Sequence, residues 1–213
     1  MPLIIRPENL DDYYQTEHMT QKAFWNLHNP GCSEHLLVRK LRSDPAYIPG
    51  LSRVAELHGS VVGTIMYTHS KVIDGETTHP LLTFGPLCVE PSLQKTGIGA
   101  RLMLETFQLA RDAGYKGIII FGEPGYYPKF GFTPCERFGI TTADGKNFDA
   151  FMALELVPGG LSNVHGKFYE AEVFENLPED EVEEFNKQFP YMEKLRLPGQ
   201  WGYEEPGNES LKP

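Results

Sequence analysis

The segment Val89-Glu90-Pro91-Ser92-Leu93-Gln94-Lys95-Thr96-Gly97-Ile98-Gly99-Ala100-Arg101 constrains the fold more than any other part of the chain. It joins an apolar run ending at Val89 to a helix-periodic stretch from Gly97 to Asp112, so the chain must turn from a strand straight into a helix. On that helix Ile98, Leu102 and Leu109 fall on one side, Met103, Phe107 and Ala110 on an adjoining one, and Gly114 supplies a stop. Glycines in such a loop let backbone approach a ligand, and the free N–H groups of the first helical turn favour an anion there. The same residues also suit a plain tight turn. Two nucleotide readings fail on spacing. A dinucleotide fingerprint counted from Gly97 needs a glycine where Leu102 stands, and no Gly-Lys-Ser/Thr follows for a triphosphate loop.

The flanking segments predict an α/β chain. Leu3 to Arg6 reads as a strand. A helix capped by Asn9 or Asp11 runs to about Trp25, with Tyr14, His18 or Met19, and Ala23 or Phe24 at helical spacing. Ser33 opens a second helix, with Leu36, Leu37, Val38 and Leu41 inward and Arg39, Lys40 and Arg42 solvated. Three antiparallel strands follow at Arg53 to His58, Val61 to Val72 and Leu81 to Val89, separated by His58-Gly59-Ser60 and Asp74-Gly75. Lys116 to Phe121 is a strand buried on both faces, and strands return at Phe132 to Pro134 and Ala150 to Leu156. Pro158-Gly159-Gly160 marks the expected end of the core. Residues 1–160 are thus read as one domain and 161–213 as an acidic extension. In the extension, Phe168 to Phe174 is a strand candidate, Glu179 to Gln188 a short helix, and Leu197 onward an irregular tail.

Charge and cysteines exclude several classes. Of 213 residues, 19 are Lys or Arg and 29 Asp or Glu, and the net charge of −10 leaves no basic field for nucleic acid. Residues 161–213 hold 5 of the bases and 12 of the acids, yet Phe168, Tyr169, Val173 and Phe174 are too apolar for a free segment. The extension is therefore expected to pack on the core or on a second subunit of a homodimer. Cys32, Cys88 and Cys135 form no disulfide framework and no metal-ligand spacing, so a metal-free, cytoplasmic protein is expected. No apolar stretch approaches the ~18 residues of a membrane span, and no export signal is recognisable.

A second motif, Phe121-Gly122-Glu123-Pro124-Gly125-Tyr126-Tyr127-Pro128-Lys129-Phe130-Gly131-Phe132, follows the next strand directly. Gln94-x-x-Gly97-x-Gly99 between strand and helix resembles the acyl-CoA pyrophosphate loop of the GNAT superfamily of N-acyltransferases. Tyr127-x-x-x-Gly131-Phe132 resembles that family's tyrosine-to-Gly-Phe motif, in the same order and separation. The resemblance covers roughly residues 3–156 and is closest to bacterial members known only as predicted acetyltransferases.

The resemblance implies a GNAT-like mixed, mostly antiparallel sheet, splayed between its fourth and fifth strands and flanked by helices. Pantetheine would lie in the gap against backbone groups of Leu87, Cys88 and Val89, with Gly85-Pro86 setting a bulge that opens it. The side chain of Cys88 reads as a small core residue. Lys95, Thr96, Gly97, Ile98, Gly99 and Ala100 would cradle the pyrophosphate, with Gln94 shaping the loop and Arg101 either a phosphate contact or a surface charge. Tyr127 stands where the family places its general acid, with Tyr126 as alternate donor. The family's fourth-strand glutamate is missing, since the inward positions are Thr83 and Gly85. Glu123 becomes the leading base, ahead of Glu90 and His35.

The implied activity is transfer of an acetyl group from acetyl-CoA to a primary amine, either a small molecule or a protein amine. A non-catalytic acyl-CoA sensor is the alternative.

Overall fold

The longest element of the sheet organises everything around it. In the computed structural model, which describes residues 2–201, β3 (Ser60–Asp74) pairs along most of its length with β4 (Thr77–Val89) across the Asp74-Gly75 turn. The other elements, in chain order, are β1 (Ile4–Arg6), α1 (Tyr13–Phe24), α2 (Glu34–Leu41), β2 (Arg53–Leu57), α3 (Ile98–Asp112), β5 (Gly117–Phe121), β6 (Thr133–Pro134), β7 (Ile140–Thr141), β8 (Phe151–Glu155), β9 (Gly166–Tyr169) and α4 (Glu179–Asn186). The sheet runs β1-β2-β3-β4-β5-β8-β6, with β9 joining both β3 and β7. Most pairings are antiparallel. The exceptions are β4 with β5 and β7 with β9.

Strand alternation assigns the two faces of the sheet. Ile65, Tyr67, Leu82, Phe84, Ile118 and Ile120 face α3 and pack with Leu102, Met103 and Phe107. Met66 lies on the opposite face with Leu37, Val38 and Leu41 of α2 and with Val173. Further along that second face, Val72, Leu81 and Ile119 pack with Phe151, Leu161 and Phe168.

The register between β3 and β4 slips between Ile65↔Leu87 and Tyr67↔Phe84, so Gly85 and Pro86 together stand opposite Met66. This bulge reverses the alternation of β4. Leu82 and Phe84 face α3 before it, and Leu87 and Val89 face α3 after it, while Cys88 turns toward Met19 of α1.

Some expectations shift. Arg42 is not solvated, because its side chain is 7% exposed and pairs with Glu8 and with the wholly buried Glu17. Arg39 also bonds Glu17, so the α1–α2 contact is held by charge where an apolar seam is usual. The buried face of α1 is polar too, with Thr16, Thr20 and Gln21 beside Met19, whereas Tyr14 is exposed. Beyond Gly160 the chain adds β9 to the same sheet, shorter than expected because the backbone leaves β3 after Tyr169 and forms a 3-10 turn at Glu172–Phe174. Helix α4 then rests Val182 and Phe185, with Phe189 just after it, on Leu36 of α2. Residues 202–213 of the expected irregular tail lie outside the described residues.

Candidate active site

The parallel pair β4–β5 is joined at a single register position, Leu82↔Ile118. Past that point the strands separate, and Thr83 spans the start of the gap by donating its hydroxyl to the carbonyl of Ile119. The β4 edge from Gly85 to Val89 therefore faces a gap, which leaves its backbone polar groups for another partner. Leu87, Cys88 and Val89 all lie on this edge. The Cys88 thiol points away from it, 3.4 Å from the Thr20 hydroxyl and 3.7 Å from the Met19 sulfur, and burial pushes its pKa up to about 12. Its side chain is packing, as expected, and no thiolate nucleophile is offered.

Downstream of the gap the loop closes on itself before α3 begins. Gln94 donates to the carbonyl of Val89 at 3.4 Å, and Thr96 to that of Leu93 at 2.6 Å. Lys95 (φ 63°) and Gly97 (φ 93°) are both left-handed, which folds the chain back so that Gly97 caps α3. No side chain caps the first turn and no acid occupies it, so the amides of Ile98, Gly99 and Ala100 and the positive end of the helix dipole remain available. Nothing lies within 4 Å of a Cβ placed on Gly97. Lys95 is exposed beside this opening. Arg101 is turned elsewhere, to Glu105 at 2.7 Å and the carbonyl of Leu3 at 3.1 Å.

The second motif brings two tyrosines to the same gap. Tyr127 opens a 3-10 turn, Tyr127–Phe130, and its ring packs on Phe84 of β4 and edge-on to Phe132. A Cβ on Gly122 would fall 2.4 Å from that ring, so the position admits no side chain while Tyr127 stays in place. Burial, and then the neighbouring Tyr126, raise the Tyr127 phenol well above its ordinary range, which keeps it a proton donor at neutral pH. Tyr126 stands edge-on to Tyr127, and its hydroxyl lies 3.5 Å from a Cβ placed on Gly99. The structure thus puts Tyr126 beside the uncapped turn at Gly97–Gly99 and Tyr127 against Phe84 of β4.

The carboxylate and histidine candidates do not converge on Tyr127. Glu123 is exposed, and its carboxylate accepts the amide of Gly125 at 3.2 Å. Glu90 pairs with Lys22 of α1. His35 is buried under Phe185 and Phe189, and loss of solvent lowers its pKa to about 4. Sequence reasoning also missed two features of the site. Gly122 carries no motif of its own, and Tyr67, buried under the tyrosines with its hydroxyl 2.9 Å from that of Thr106, reads in sequence only as a strand residue. Among the described residues no group of three or more His, Cys, Asp or Glu side chains is placed to hold a metal. No described helix is long and apolar enough to cross a membrane.

With this geometry in hand, residues 50–134 match the acetyltransferase (GNAT) domain family. The chain is 36% identical to the uncharacterized N-acetyltransferase YjhQ of Escherichia coli K12 over 100 residues, which are 46% of this chain and 55% of YjhQ. The match therefore spans little more than half of that relative. It is 25% identical to the uncharacterized N-acetyltransferase YhbS of the same strain over 134 residues, 63% of this chain and 78% of YhbS. The crystal structure of YhbS in complex with CoA shares the fold, with a TM-score of 0.73 at 22% identity over 83% of this chain and 93% of that one. A GNAT family acetyltransferase from Brucella melitensis, solved with acetyl-CoA, gives a TM-score of 0.64 at 28% identity over 81% of this chain and 98% of that one.

Proposed function

We propose that the chain is a GNAT acetyltransferase that transfers an acetyl group from acetyl-CoA to a primary amine, as the match of residues 50–134 to that domain family and the likeness to YjhQ support. One observation carries this reading. A gap between β4 and β5 opens beside an uncapped helix N-terminus at one end and the half-buried Tyr127 phenol along its length. A long ligand with amides in its middle and phosphates at one end satisfies the exposed strand edge and the free amides together. The residues present fit acetyl-CoA on those grounds.

In this reading the backbone at Leu87, Cys88 and Val89 holds the pantetheine amides. The loop Lys95-Thr96-Gly97-Ile98-Gly99-Ala100 holds the pyrophosphate through its N–H groups, and Gln94 keeps the loop closed on Val89. The bound donor supplies a thioester, an acyl group already activated toward amines. Tyr127 lends a proton at the departing sulfur, and its raised pKa keeps that proton in place until negative charge develops nearby. Glu123 shapes the turn that presents Tyr127, since its carboxylate holds the Gly125 amide and its carbonyl accepts the amides of Tyr126 and Tyr127. Residues 161–213 act as an extension that completes the sheet through β9. The free thiols of Cys32, Cys88 and Cys135 suit a reducing cytoplasm.

The test is thiol release from acetyl-CoA across a panel of amines, preceded by calorimetric titration of acetyl-CoA onto the protein. Micromolar binding with amine-dependent release supports the reading. Absence of binding removes it.

A further inference from the structure

The face of the gap opposite α3 holds a carboxyl group and two buried hydroxyls that nothing described so far employs. Met66 lies on that face, so alternation along β3 carries Thr68 and Ser70 onto it as well, and Val72 beyond them packs on Phe168. Thr83 stands directly opposite Thr68 in the register. The hydroxyls of Thr68 (0% exposed) and Ser70 (7% exposed) find no hydrogen-bond partner among the described residues. Buried hydroxyls left unpaired are costly, which points to a polar occupant.

The carboxyl comes from the strand beside them. Phe168 stands opposite Val72 and Tyr169 opposite Lys71, and Glu170 follows at the point where the backbone leaves β3. From there the chain crosses to the bulge in β4. Val173 packs on Met66, and the Phe174 ring lies 3.2 Å from a Cβ placed on Gly85. Residues 170–174 therefore roof the point where β4 and β5 separate. Glu170 is half-buried, with no hydrogen-bond or cationic partner among the described residues, and another carboxylate, Glu175, acts on it. Loss of solvent, and then Glu175, push its pKa up to about 7, the range of a base that works near neutrality.

On the β5 side the same face is aromatic. Phe121 follows Ile119 by alternation and is 46% exposed, stacked at 5.9 Å on Phe148, which is 48% exposed. Phe121 also meets Phe168 edge-on at 6.1 Å. The segment that carries Glu170 thus runs from the aromatic shelf at Phe121 to the β4 bulge at Gly85.

We propose that Glu170 binds and deprotonates the acceptor's ammonium group, and that the acceptor is a primary amine carried on a flat apolar body that lies on Phe121 and Phe148. This rests on the acetyltransferase reading and deepens it. The ammonium gives one proton to the Glu170 carboxylate. The freed lone pair forms the C–N bond, and the C–S bond breaks with its electron pair on sulfur. Tyr127 protonates that sulfur and recovers a proton from the nitrogen, which becomes the amide N–H. The Glu170 proton leaves to solvent, so the net products are the amide, free CoA thiol and one proton.

The experiment uses the full chain, with acetyl-CoA and four amines: 2-phenylethylamine, putrescine, glucosamine and a dipeptide. We expect 2-phenylethylamine to give the highest kcat/KM, at least tenfold above the others. Glu170→Gln should lower that value about a hundredfold and weaken 2-phenylethylamine binding to the CoA-loaded protein, while the dissociation constant of acetyl-CoA stays within twofold. Should the Gln variant not fold by circular dichroism, Glu170→Asp keeps the charge one methylene back and should still lose at least tenfold. Folded variants that acetylate 2-phenylethylamine at the wild-type rate overturn the role of Glu170. A wild-type preference for putrescine or glucosamine overturns the acceptor class. A wild-type protein that binds no acetyl-CoA, or binds it and acetylates no amine, overturns the acetyltransferase reading itself.

Discussion

On the α3 side of the gap, the loop from Gln94 to Ala100 and the tyrosine pair at 126 and 127 come from two short stretches, and the groups on offer are mostly backbone amides. On the opposite side, Thr68, Phe121, Phe148 and Glu170 come from four separate stretches of chain, and the groups are side chains. The difference has a physical origin. In the proposed function a pyrophosphate is the same in every donor, so a helix terminus with glycines and a sharp turn suffices to hold it. An acceptor must be told from its competitors, and that requires shaped and charged side chains brought together by the sheet.

The largest effect expected on the α3 side is chemical. Tyr127→Phe keeps the ring on Phe84 and Phe132 and removes one hydroxyl, so kcat should fall by ~10² to 10⁴ while acetyl-CoA affinity holds. Because burial raises this phenol, no alkaline limb from its ionisation should appear below pH 10 in the wild-type rate profile. Unchanged kcat would move the proton to Tyr126 or to water and so break the division between a chemical α3 side and a selective opposite side.

The framework that holds the opposite side is tested next. Arg42 is nearly inaccessible between Glu8 and Glu17, and Arg42→Ala leaves Glu17 buried with Arg39 as its remaining cation. Removing one partner from such a network costs about 3 kcal/mol. Denaturant unfolding should show that loss, while acetyl-CoA affinity of the folded fraction is kept. Equal losses in stability and cofactor binding would mean that the two sides are one unit.

A smaller effect separates the two glycines of the loop. Gly97 is left-handed and opens onto empty space, whereas Gly99 is held against Tyr126 and Val89. Gly99→Val should crowd the Tyr126 hydroxyl and the phosphate approach, weakening acetyl-CoA about tenfold, or ~1.4 kcal/mol. Gly97→Ala should instead lower stability by about 1 kcal/mol through backbone strain. If both substitutions acted only on binding, the loop would owe nothing to its left-handed residue.

The same contrast explains what was legible in the sequence. Gln94-x-x-Gly97-x-Gly99 and Tyr127-x-x-x-Gly131-Phe132 are local patterns that carry the family resemblance, which implied the splayed sheet, while the central strands were legible from their apolar runs and turn residues. Arg42 was misread because helical periodicity marks it as an outer residue, and its partners Glu8 and Glu17 lie far off in sequence. Glu170 gave no signal at all. It sits in an acidic tail among other carboxylates, and only the course of the chain from Phe168 on Phe121 to Phe174 beside Gly85 sets it apart. Gly122 was equally silent, since its requirement for a missing side chain comes from the ring of a residue on the next turn.

The smallest effect tests the opposite side without any substrate. Glu170 is raised to about 7 in the folded chain, from an ordinary 4.5, and Glu175 is the other charge acting on it. Between those two values the folded state holds a proton that the unfolded state has released. Stability must then fall as pH rises through this window, because each step upward favours the state that binds fewer protons. Below pH 4.5 the group is protonated in both states and contributes nothing, and above pH 7 its full penalty is present. Glu170→Gln removes the penalty, so the variant should match the wild type near pH 4.5 and exceed it at pH 8. One pKa unit corresponds to ~1.4 kcal/mol, and solvent reaches this half-buried group, so the gain should be on the order of 1 kcal/mol. Urea unfolding of both proteins at the two pH values measures it. A variant less stable than the wild type at pH 8 would mean that the carboxylate already has a favourable partner in the folded chain, and the opposite side of the gap would then hold a structural ion pair in place of a site waiting for an ammonium.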